Sequence, residues 1–355
     1  MERRKQGVKS FVTKILVCFL ICNWSIGIAQ DFHFSQFDQT PLLINPAYAG
    51  TFGGTHRVIM NYRDQWRAFG APYKTYALSY DFMLIKEKWD KTKIAGGLFI
   101  FRDQAGYSNL SSTQVQLSLS SIISLNENHG LSVGLQGGFA QKAIDLSEVS
   151  TDNQFSNGTH NQKDPIGETN NYNSRSYGDF TGGLAWHYVK NEINPFADNQ
   201  IKATIGFALY HINRPKQEFY DLNKDRLYSK MSIHGYGLIG FKGTQLAMTP
   251  SFLILSQGPT KEILAGTMFR YRIREGGLSK KFDQQAAISI GAHYRFGDAI
   301  IPGFLLEIAN FRLGVSYDIN TSKLNVATNG QGGLEISLGF VNPNPFKRKK
   351  TSTLL

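Results

Sequence analysis

Cysteine is almost absent from this sequence. The 355 residues include two cysteines, Cys18 and Cys22, and both lie near the amino terminus. Five basic residues precede a short apolar run there, from Ile15 to Ile21, which is the pattern of a secretory signal peptide over residues 1–29. A lipoprotein anchor is the alternative, but Val17 and Ile21 stand where a small residue is expected before a lipidated cysteine. The exported chain would therefore have no thiol for a disulfide or a soft metal ion.

Long hydrophobic runs are also missing. After residue 29 no apolar stretch approaches the 18 or so residues that a membrane-spanning helix needs. Charged residues make up 18% of the chain, whereas glycine is frequent at 35 of 355 residues and aromatic residues reach 13%. Average soluble domains have about 25% charged residues and about 7% glycine. This composition favours an exported β-rich chain over two soluble domains.

Most of the excess positive charge lies at the two ends of the chain. The formal net charge is +11, of which the signal segment contributes a net +4 and residues 347–350 another +4. The body of the chain is nearly balanced, so its charge gives no support to a nucleic-acid partner. The basic tail, within residues 342–355, is either a frayed end or a contact for an acidic periplasmic partner.

Alternation of apolar and polar residues recurs from residue 55 almost to the end. Around residues 112–120, for example, serine and glutamine alternate with valine and leucine. Such segments, bounded by Gly, Asn, Asp and Pro, predict strands. We predict fourteen of them, at residues 55–66, 73–84, 93–103, 109–122, 129–140, 178–189, 201–212, 230–242, 245–256, 262–272, 284–296, 300–308, 311–320 and 333–341.

Two architectures share this alternation, a secreted β-sandwich and a transmembrane antiparallel β-barrel. Lys and Glu are scarce within the predicted strands, and aromatic residues lie near strand ends. Those aromatic residues are Trp186, Tyr188, Tyr271, Tyr294 and Phe340. The longest connections, 141–177, 213–229 and 321–332, are all odd-numbered and therefore fall on one side. We predict an all-β outer-membrane barrel of about fourteen strands over residues 55–341.

No catalytic or metal-binding motif stands out. The eight histidines form no H-x-x-x-H or H-E-x-x-H pattern, and His187, His234 and His293 each fall on the polar face of a strand. The polar stretch 152–175 lacks the register of a calcium loop. We predict no cofactor and no metal site. A hydrolase that uses Ser and His on neighbouring strands is left open as an alternative, although no G-x-S-x-G elbow is present.

Several stretches resemble one family. The run QDFHFSQFDQTPLLINPAYAGTFGGTHRV, followed by NYRDQW, resembles the amino-terminal signature of the PorP/SprF family, outer-membrane proteins associated with type IX secretion and gliding motility in Bacteroidota. ALYHINRP (208–215), TPSFLILSQ (249–257), residues 300–320 and GGLEISLGF (332–340) resemble later family segments, in the family's order. The positions that match are Asn45, Pro46, Ala47, Gly50, Arg63, Gln65, Trp66, His211, Pro215, Pro250, Ser251, Tyr317 and Asp318. Thr249 departs from the apolar residue expected before Pro250.

The resemblance implies a role in protein export rather than catalysis. It implies a barrel in the bacterial outer membrane that helps to export or retain large surface proteins, such as adhesins, with a carboxy-terminal sorting domain. Other type IX secretion components in the periplasm or outer membrane, and outer-membrane lipid, would be its further partners. The alternative function is a transport pore for small solutes, because a barrel of this size can leave a channel unless something fills it.

The segment before the first strand has a physical interpretation of its own. Asn45 and Pro46 favour a turn and Gly50 permits a bend, so residues 30–54 can fold compactly at the periplasmic mouth or inside the lumen. Arg63 and Gln65 share one face of the first strand. If that face looks inward, they would hydrogen-bond the segment, and Trp66 would point outward at the far membrane interface. Ordinary lumen residues and an interfacial tryptophan are the alternative.

Overall fold

The structure is a computed structural model, and the described residues are 31–65, 72–89, 91–106, 110–144, 152–156, 159–161, 167, 174–190, 200–217, 226–274, 286–322 and 330–343. The predicted signal peptide, Trp66, most of the basic tail and most of the 141–177 connection lie outside them. Within the described residues, no helix is both long and apolar enough to cross a membrane.

The described residues form sixteen strands, and fourteen of them build the main sheet. The strands are β1 (Gly54–Gln65), β2 (Tyr73–Trp89), β3 (Thr92–Ala105), β4 (Leu110–Ser124), β5 (His129–Ala143), β6 (Phe155–Ser156), β7 (Thr159–His160), β8 (Ser174–Lys190), β9 (Ile201–Tyr210), β10 (Lys230–Gly240), β11 (Leu246–Gln257), β12 (Thr260–Arg274), β13 (Ala286–Arg295), β14 (Ala299–Ile308), β15 (Phe311–Asn320) and β16 (Gln331–Pro343). The short pair β6 and β7 makes a separate two-stranded sheet that the sequence did not predict.

The fourteen long strands close into an antiparallel barrel. Each pairs with its neighbours in the chain, β5 pairs with β8, and β1 closes the ring against β16. The closing register places Arg63 opposite Glu335. A sheet that closes on itself is not a sandwich, so the prediction of a fourteen-stranded barrel is confirmed and the sandwich alternative is wrong.

Alternation along each strand separates an apolar outer face from a polar inner face. On β4, Leu117 is 66% exposed, whereas Gln116 and Ser118 on the opposite face are each 6% exposed. Successive side chains of a strand point to opposite faces, so each of these strands turns its apolar side away from the lumen. The other large exposed side chains on the strands include Leu135, Phe139, Ile290 and Phe311.

Antiparallel order gives the barrel two distinct rims. We call the end where β1 begins at Gly54 the proximal rim, and the end where β1 stops at Gln65 the distal rim. The connection after β5, the 211–229 connection after β9 and the 321–330 connection after β15 all leave the distal rim. Tight turns such as those between β10 and β11 and between β14 and β15 lie at the proximal rim.

Residues 32–53 form what we call the lumen segment. It contains one α-helical turn, α1 (Pro41–Ile44), between two 3-10 turns, Phe37–Gln39 and Pro46–Tyr48. Proline occupies the first position of both α1 and the second 3-10 turn, where its missing N–H leaves no hydrogen bond unmade. Most of the segment is buried, and Leu42, Asn45 and Ala47 have no measurable exposure.

Candidate functional site: the filled lumen

The lumen segment lies inside the barrel, because strands on every side contact it. Ser35 bonds to β15 and β16, Asn45 bonds to β8 and β9, and Gly50 bonds to β2. Ser120 of β4 donates to the Ala49 carbonyl at 2.6 Å, and Gln136 of β5 donates to the Leu42 carbonyl. The segment extends from residues near the distal rim to Gly54 at the proximal rim.

Buried ions hold the distal end of the segment. Arg63 Nη2 lies 3.0 Å from Asp318 Oδ2, and Arg63 Nη1 lies 3.0 Å from Glu335 Oε1. Arg63 also donates to the His33 carbonyl at 2.8 Å. Arg295 of β13 lies 3.0 Å from the same oxygen of Asp318. Each charge has an opposite partner, which offsets the cost of removing it from water.

Ser35 connects the segment to this ion network. Its backbone N–H donates to Glu335 Oε1 at 2.8 Å, and its hydroxyl donates to Asp318 Oδ1 at 2.9 Å. Arg295 donates to the Ser35 hydroxyl in turn. His33 adds a contact of 2.7 Å with Glu262 on β12. The segment therefore supplies hydrogen-bond donors to carboxylates of the barrel wall. Without the segment, those hydrogen bonds would not form.

Asn45 anchors the middle of the segment to the barrel wall. Its Nδ2 atom donates to the carbonyls of Leu184 on β8 and Phe207 on β9, at 3.0 and 3.2 Å. Its Oδ1 atom accepts from the Ala47 N–H at 2.8 Å, which caps the following 3-10 turn. An asparagine is suited to this position because one side chain provides both donors and an acceptor.

Glycines in the wall make room for this turn. A Cβ atom on Gly183 would lie 2.0 Å from Asn45 Oδ1, and one on Gly134 would lie 2.3 Å from the Ala47 nitrogen. These two glycines face each other on β5 and β8. The wall is thus flat where Asn45, Pro46 and Ala47 approach it, and this contact is where three of the family-matching residues lie.

A second ion pair fixes the proximal end of the segment. Asp81 on β2 accepts from the Gly50 N–H at 2.8 Å and from Arg57 Nη2 at 2.8 Å. Arg57 also donates to the Tyr48 carbonyl at 3.0 Å. Gly50 has φ +74°, and a Cβ there would lie 2.2 Å from that of Ala95 on β3. Glycine is required both for the backbone conformation and for the close packing.

Apolar packing supports these polar contacts. Phe37, Ile44 and Tyr48 form one buried cluster with Leu253 and Leu264 of the wall. A second buried cluster joins the segment to β2 and β3, through Phe34, Leu42, Ala49, Ala77, Phe99 and Phe101. Burial of such side chains stabilises the docked segment, since each large apolar side chain contributes about 1.5–3 kcal/mol when fully buried.

Three serine–histidine contacts lie in the part of the lumen that the structure describes. Ser132 lies 2.8 Å from His187, Ser232 lies 2.9 Å from His234, and Ser251 lies 2.7 Å from His293. The three histidines thus lie in the lumen wall. Among the described contacts, none of these rings hydrogen-bonds a carboxylate, the group that orients the base in a Ser-His-Asp triad. The described residues also present no group of three or more His, Cys, Asp or Glu side chains arranged to hold a metal ion.

The remaining family-matching residues lie elsewhere in the barrel. His211, with φ 53°, lies 2.9 Å from Asp179 of β8, and Pro215 accepts a backbone hydrogen bond from Leu227. Both order the start of the distal 211–229 connection. Pro250 and Ser251 lie on β11, where Ser251 contacts His293, and Tyr317 is 39% exposed on the outer face of β15. Gln65 is the half-buried last residue of β1.

Sequence reasoning missed most of the partners in the wall. Asp81, Arg295 and Glu335 were each part of a predicted strand, and nothing local marks them as contacts of a segment far away in the chain. Gly134 and Gly183 likewise lie within predicted strands, and nothing local distinguishes them from other strand glycines. The sequence does contain one weak signal for these contacts. Charged residues are scarce in the predicted strands, and a charged side chain on the inner face needs a partner inside the lumen.

Solved structures with a similar fold share little sequence identity with this chain. The toluene transporter TbuX of Ralstonia pickettii has 11% identity and TM-score 0.47, over 86% of this chain and 94% of that chain. A Pseudomonas aeruginosa FadL homologue has 9% identity and TM-score 0.38, over 83% and 91%. BamA from Haemophilus ducreyi, lacking POTRA domains 1–3, has 11% identity and TM-score 0.39, over 81% and 70%. No individual curated protein matches the sequence.

One protein family accounts for nearly the whole sequence. Residues 26–340 match PorP/SprF, described as type IX secretion system membrane proteins. The matched range includes the lumen segment and the barrel strands up to Phe340 of β16. The resemblance noted in the sequence is thereby confirmed. This chain belongs to the PorP/SprF family of type IX secretion system membrane proteins, and its closed antiparallel barrel lies in the bacterial outer membrane.

Proposed function

We propose that this protein is a non-enzymatic component of the type IX secretion machinery that assists the export or surface retention of large proteins, such as adhesins, with a carboxy-terminal sorting domain. The observation that supports it is the lumen segment, which is hydrogen-bonded to the wall from one rim to the other. A lumen occupied in this way favours a binding role over the flow of small solutes.

The rims suggest how the protein faces its partners. Outer-membrane barrels place short turns in the periplasm and longer connections outside the cell. By that rule the distal rim, with the 211–229 and 321–330 connections, faces outward. The client protein would then meet the distal connections, and components of the secretion machinery would meet the proximal rim.

Conductance separates this function from a solute pore. Purified protein inserted in planar bilayers should pass little steady current, because the lumen segment occupies the lumen. The double variant Asn45→Ala and Arg63→Ala should pass more, since it loses anchors in the middle and at the distal end of the segment. A large, steady current through the unaltered protein would favour the pore.

The client can be sought in cells that depend on the protein. Cross-linking followed by purification of the barrel should retrieve a very large surface protein with a carboxy-terminal sorting domain. Deletion of the barrel should remove that client from the cell surface, and the Ser251→Ala variant should restore it as well as the unaltered protein does. Normal surface display without the barrel would contradict the export role, and loss of display in Ser251→Ala would contradict the non-enzymatic role.

A further inference from the structure

The outer face of β1 to β5 carries a row of apolar side chains in its distal half. Strand register places these side chains next to one another, one on each strand, and they are Met60, Leu78, Ile100, Val115 and Phe139. They point away from the lumen, and Val115 and Phe139 are 44% and 75% exposed. Such a row is suited to contact with the hydrocarbon of a membrane.

Two residues nearer the distal rim, the outer face of the same strands becomes polar. The next outward-facing row is Tyr62, Tyr76, Arg102, Thr113 and Gln141. The two rows are about 7 Å apart along a strand. The rings of Tyr62 and Tyr76 lie 5.2 Å apart, and aromatic side chains form girdles at the membrane interfaces of outer-membrane barrels. The edge of the hydrocarbon therefore lies between these two rows.

Two exposed cations lie at this edge. Arg102 of β3 is opposite Tyr76, and Lys74 of β2, one row nearer the distal rim, is opposite Gln104. Within the described part of the chain, neither cation makes an ion pair or a side-chain hydrogen bond. Both charged groups are therefore available to a ligand at the membrane interface.

The spacing of the two cations allows both to contact one group. Lys74 and Arg102 are diagonal neighbours on adjacent antiparallel strands, so their Cβ atoms are about 7–8 Å apart. Arginine binds a phosphate through two parallel hydrogen bonds, and lysine adds a point charge. Tyr76 is adjacent to both cations and is 49% exposed, so its hydroxyl can add a third donor.

One carboxylate borders this pair of cations. Asp64 of β1 is opposite Lys74, and its Oδ2 atom lies 3.4 Å from the Tyr62 hydroxyl. Arg102 is one strand further from Asp64, and the residues opposite it on both sides are uncharged. With two cations and one carboxylate, the group keeps a net positive charge, which is centred on the side of Arg102.

We propose that Lys74, Tyr76 and Arg102 bind the phosphate group of an anionic lipid in the leaflet at the distal rim. The lipid's acyl chains would cover the apolar row at Leu78 and Ile100. A lipid matches both rows, because its charge and its hydrocarbon meet at the same depth as they do on this wall. A free phosphate would contact the polar row alone. The identification of this leaflet as the outer one rests on the proposed function, whereas the site itself does not.

The test measures lipid binding to the purified mature protein in neutral detergent by native mass spectrometry. The probe is dioleoyl phosphatidylglycerol, and its control is dioleoyl phosphatidylcholine, which has the same chains and phosphate but adds a cationic choline. The protein should bind phosphatidylglycerol more tightly. The double variant Lys74→Gln and Arg102→Gln should raise Kd for phosphatidylglycerol at least about tenfold, because it removes two charge-assisted contacts.

Three controls isolate the cause. Arg175→Gln with Arg226→Gln removes the same charge from exposed positions away from β2 and β3, and it should leave Kd unchanged. Arg102→Lys keeps the charge but loses the paired hydrogen bonds, so it should raise Kd less than Arg102→Gln does. Hydrogen exchange at Ser35, inside the lumen, should be the same in the double variant as in the unaltered protein, which would show that the barrel is intact.

A competition experiment distinguishes a lipid from a free phosphate. Glycerol 3-phosphate carries a phosphate without acyl chains, so at the same concentration as the lipid it should not displace phosphatidylglycerol. Four results would overturn the proposal: displacement by glycerol 3-phosphate, equal Kd for the two lipids, an unchanged Kd in the Lys74/Arg102 variant, or an equal rise in the Arg175/Arg226 variant. Because this site lies outside the lumen, such a failure would leave the conductance and surface-display results as they stand.

Discussion

Arg63 on β1 and Asp318 on β15 meet at 3.0 Å inside the barrel, and both side chains are almost fully buried. The strands that carry them are not neighbours, because β16 lies between them and contributes Glu335 to the same cluster. His33 and Ser35 of the lumen segment complete this hydrogen-bond network. Closure of the barrel and docking of the lumen segment are thus coupled through one ion network.

Replacement of Arg63 by alanine should loosen the distal end of the lumen segment. The change leaves Glu335 buried without its cation and removes the bond to the His33 carbonyl, so the free energy of unfolding should fall by about 3–5 kcal/mol. Hydrogen exchange at Ser35 and Gln36, whose N–H groups bond to Glu335, should become faster. Lys261→Ala, at an exposed position near the distal end of β12, is the control. Unchanged protection of both amides in Arg63→Ala would show that Arg63 does not hold the segment.

Addition of one methyl group at Gly183 should displace the turn at Asn45. The new Cβ would lie 2.0 Å from Asn45 Oδ1, so the turn must shift at a cost of about 1–3 kcal/mol. The Ala47 N–H, which bonds to Asn45, should then exchange faster. Gly178→Ala is a matched control on the same strand, because its nearest neighbouring atom would be 3.9 Å away. Equal exchange in the two variants would mean that the turn does not depend on the flat wall.

Gly50 and Gly106 allow backbone strain to be separated from crowding. Both have positive φ, +74° and +70°, but only a Cβ at Gly50 would meet another atom, at 2.2 Å from the Cβ of Ala95. Alanine at Gly106 should cost about 1–2 kcal/mol for the left-handed conformation alone. Alanine at Gly50 should cost more than that, measured as the difference in urea midpoint between the two variants. A similar midpoint shift in both would show that the contact with Ala95 relaxes freely.

The barrel was predictable because its signal is local. Alternation between the faces of a strand, such as Leu117 against Gln116 and Ser118, appears within a few residues and needs no knowledge of distant partners. Lipid outside and a polar lumen inside impose the same rule on every strand. Predicted and observed strand bounds accordingly differ by a few residues, as they do for β1 at 55–66 and Gly54–Gln65.

The path of the lumen segment was not predictable, because the contacts that fix it are distant in the sequence. Its residues have no alternation and form only single helical turns, so nothing in the local pattern states where they lie. The contacts that fix it join residues far apart in the chain, such as Ser35 with Glu335, which are 300 positions apart, and Asn45 with Leu184, 139 positions apart. The resemblance to a family marked Asn45, Arg63 and Asp318, but it did not say that Arg63 and Asp318 contact the segment that contains Asn45.

Arg57 and Asp81 should show strong energetic coupling at the proximal end. Arg57→Met alone leaves the buried Asp81 carboxylate without its cation, although it still accepts a hydrogen bond from the Gly50 N–H. Asp81→Leu alone leaves the buried Arg57 guanidinium without its carboxylate. Removal of one partner from a buried pair costs about 3–5 kcal/mol, whereas replacement of both by apolar residues costs much less. The double variant should therefore be less destabilised than the sum of the two single variants by more than about 1.5 kcal/mol. Urea unfolding of the four proteins gives this difference directly.

The same cycle with Arg270 and Glu307, whose side chains remain partly exposed, should give a smaller coupling, because water screens that pair. Additive effects at Arg57 and Asp81 would mean that the Gly50 contact, and not the ion pair, holds the proximal end of the lumen segment.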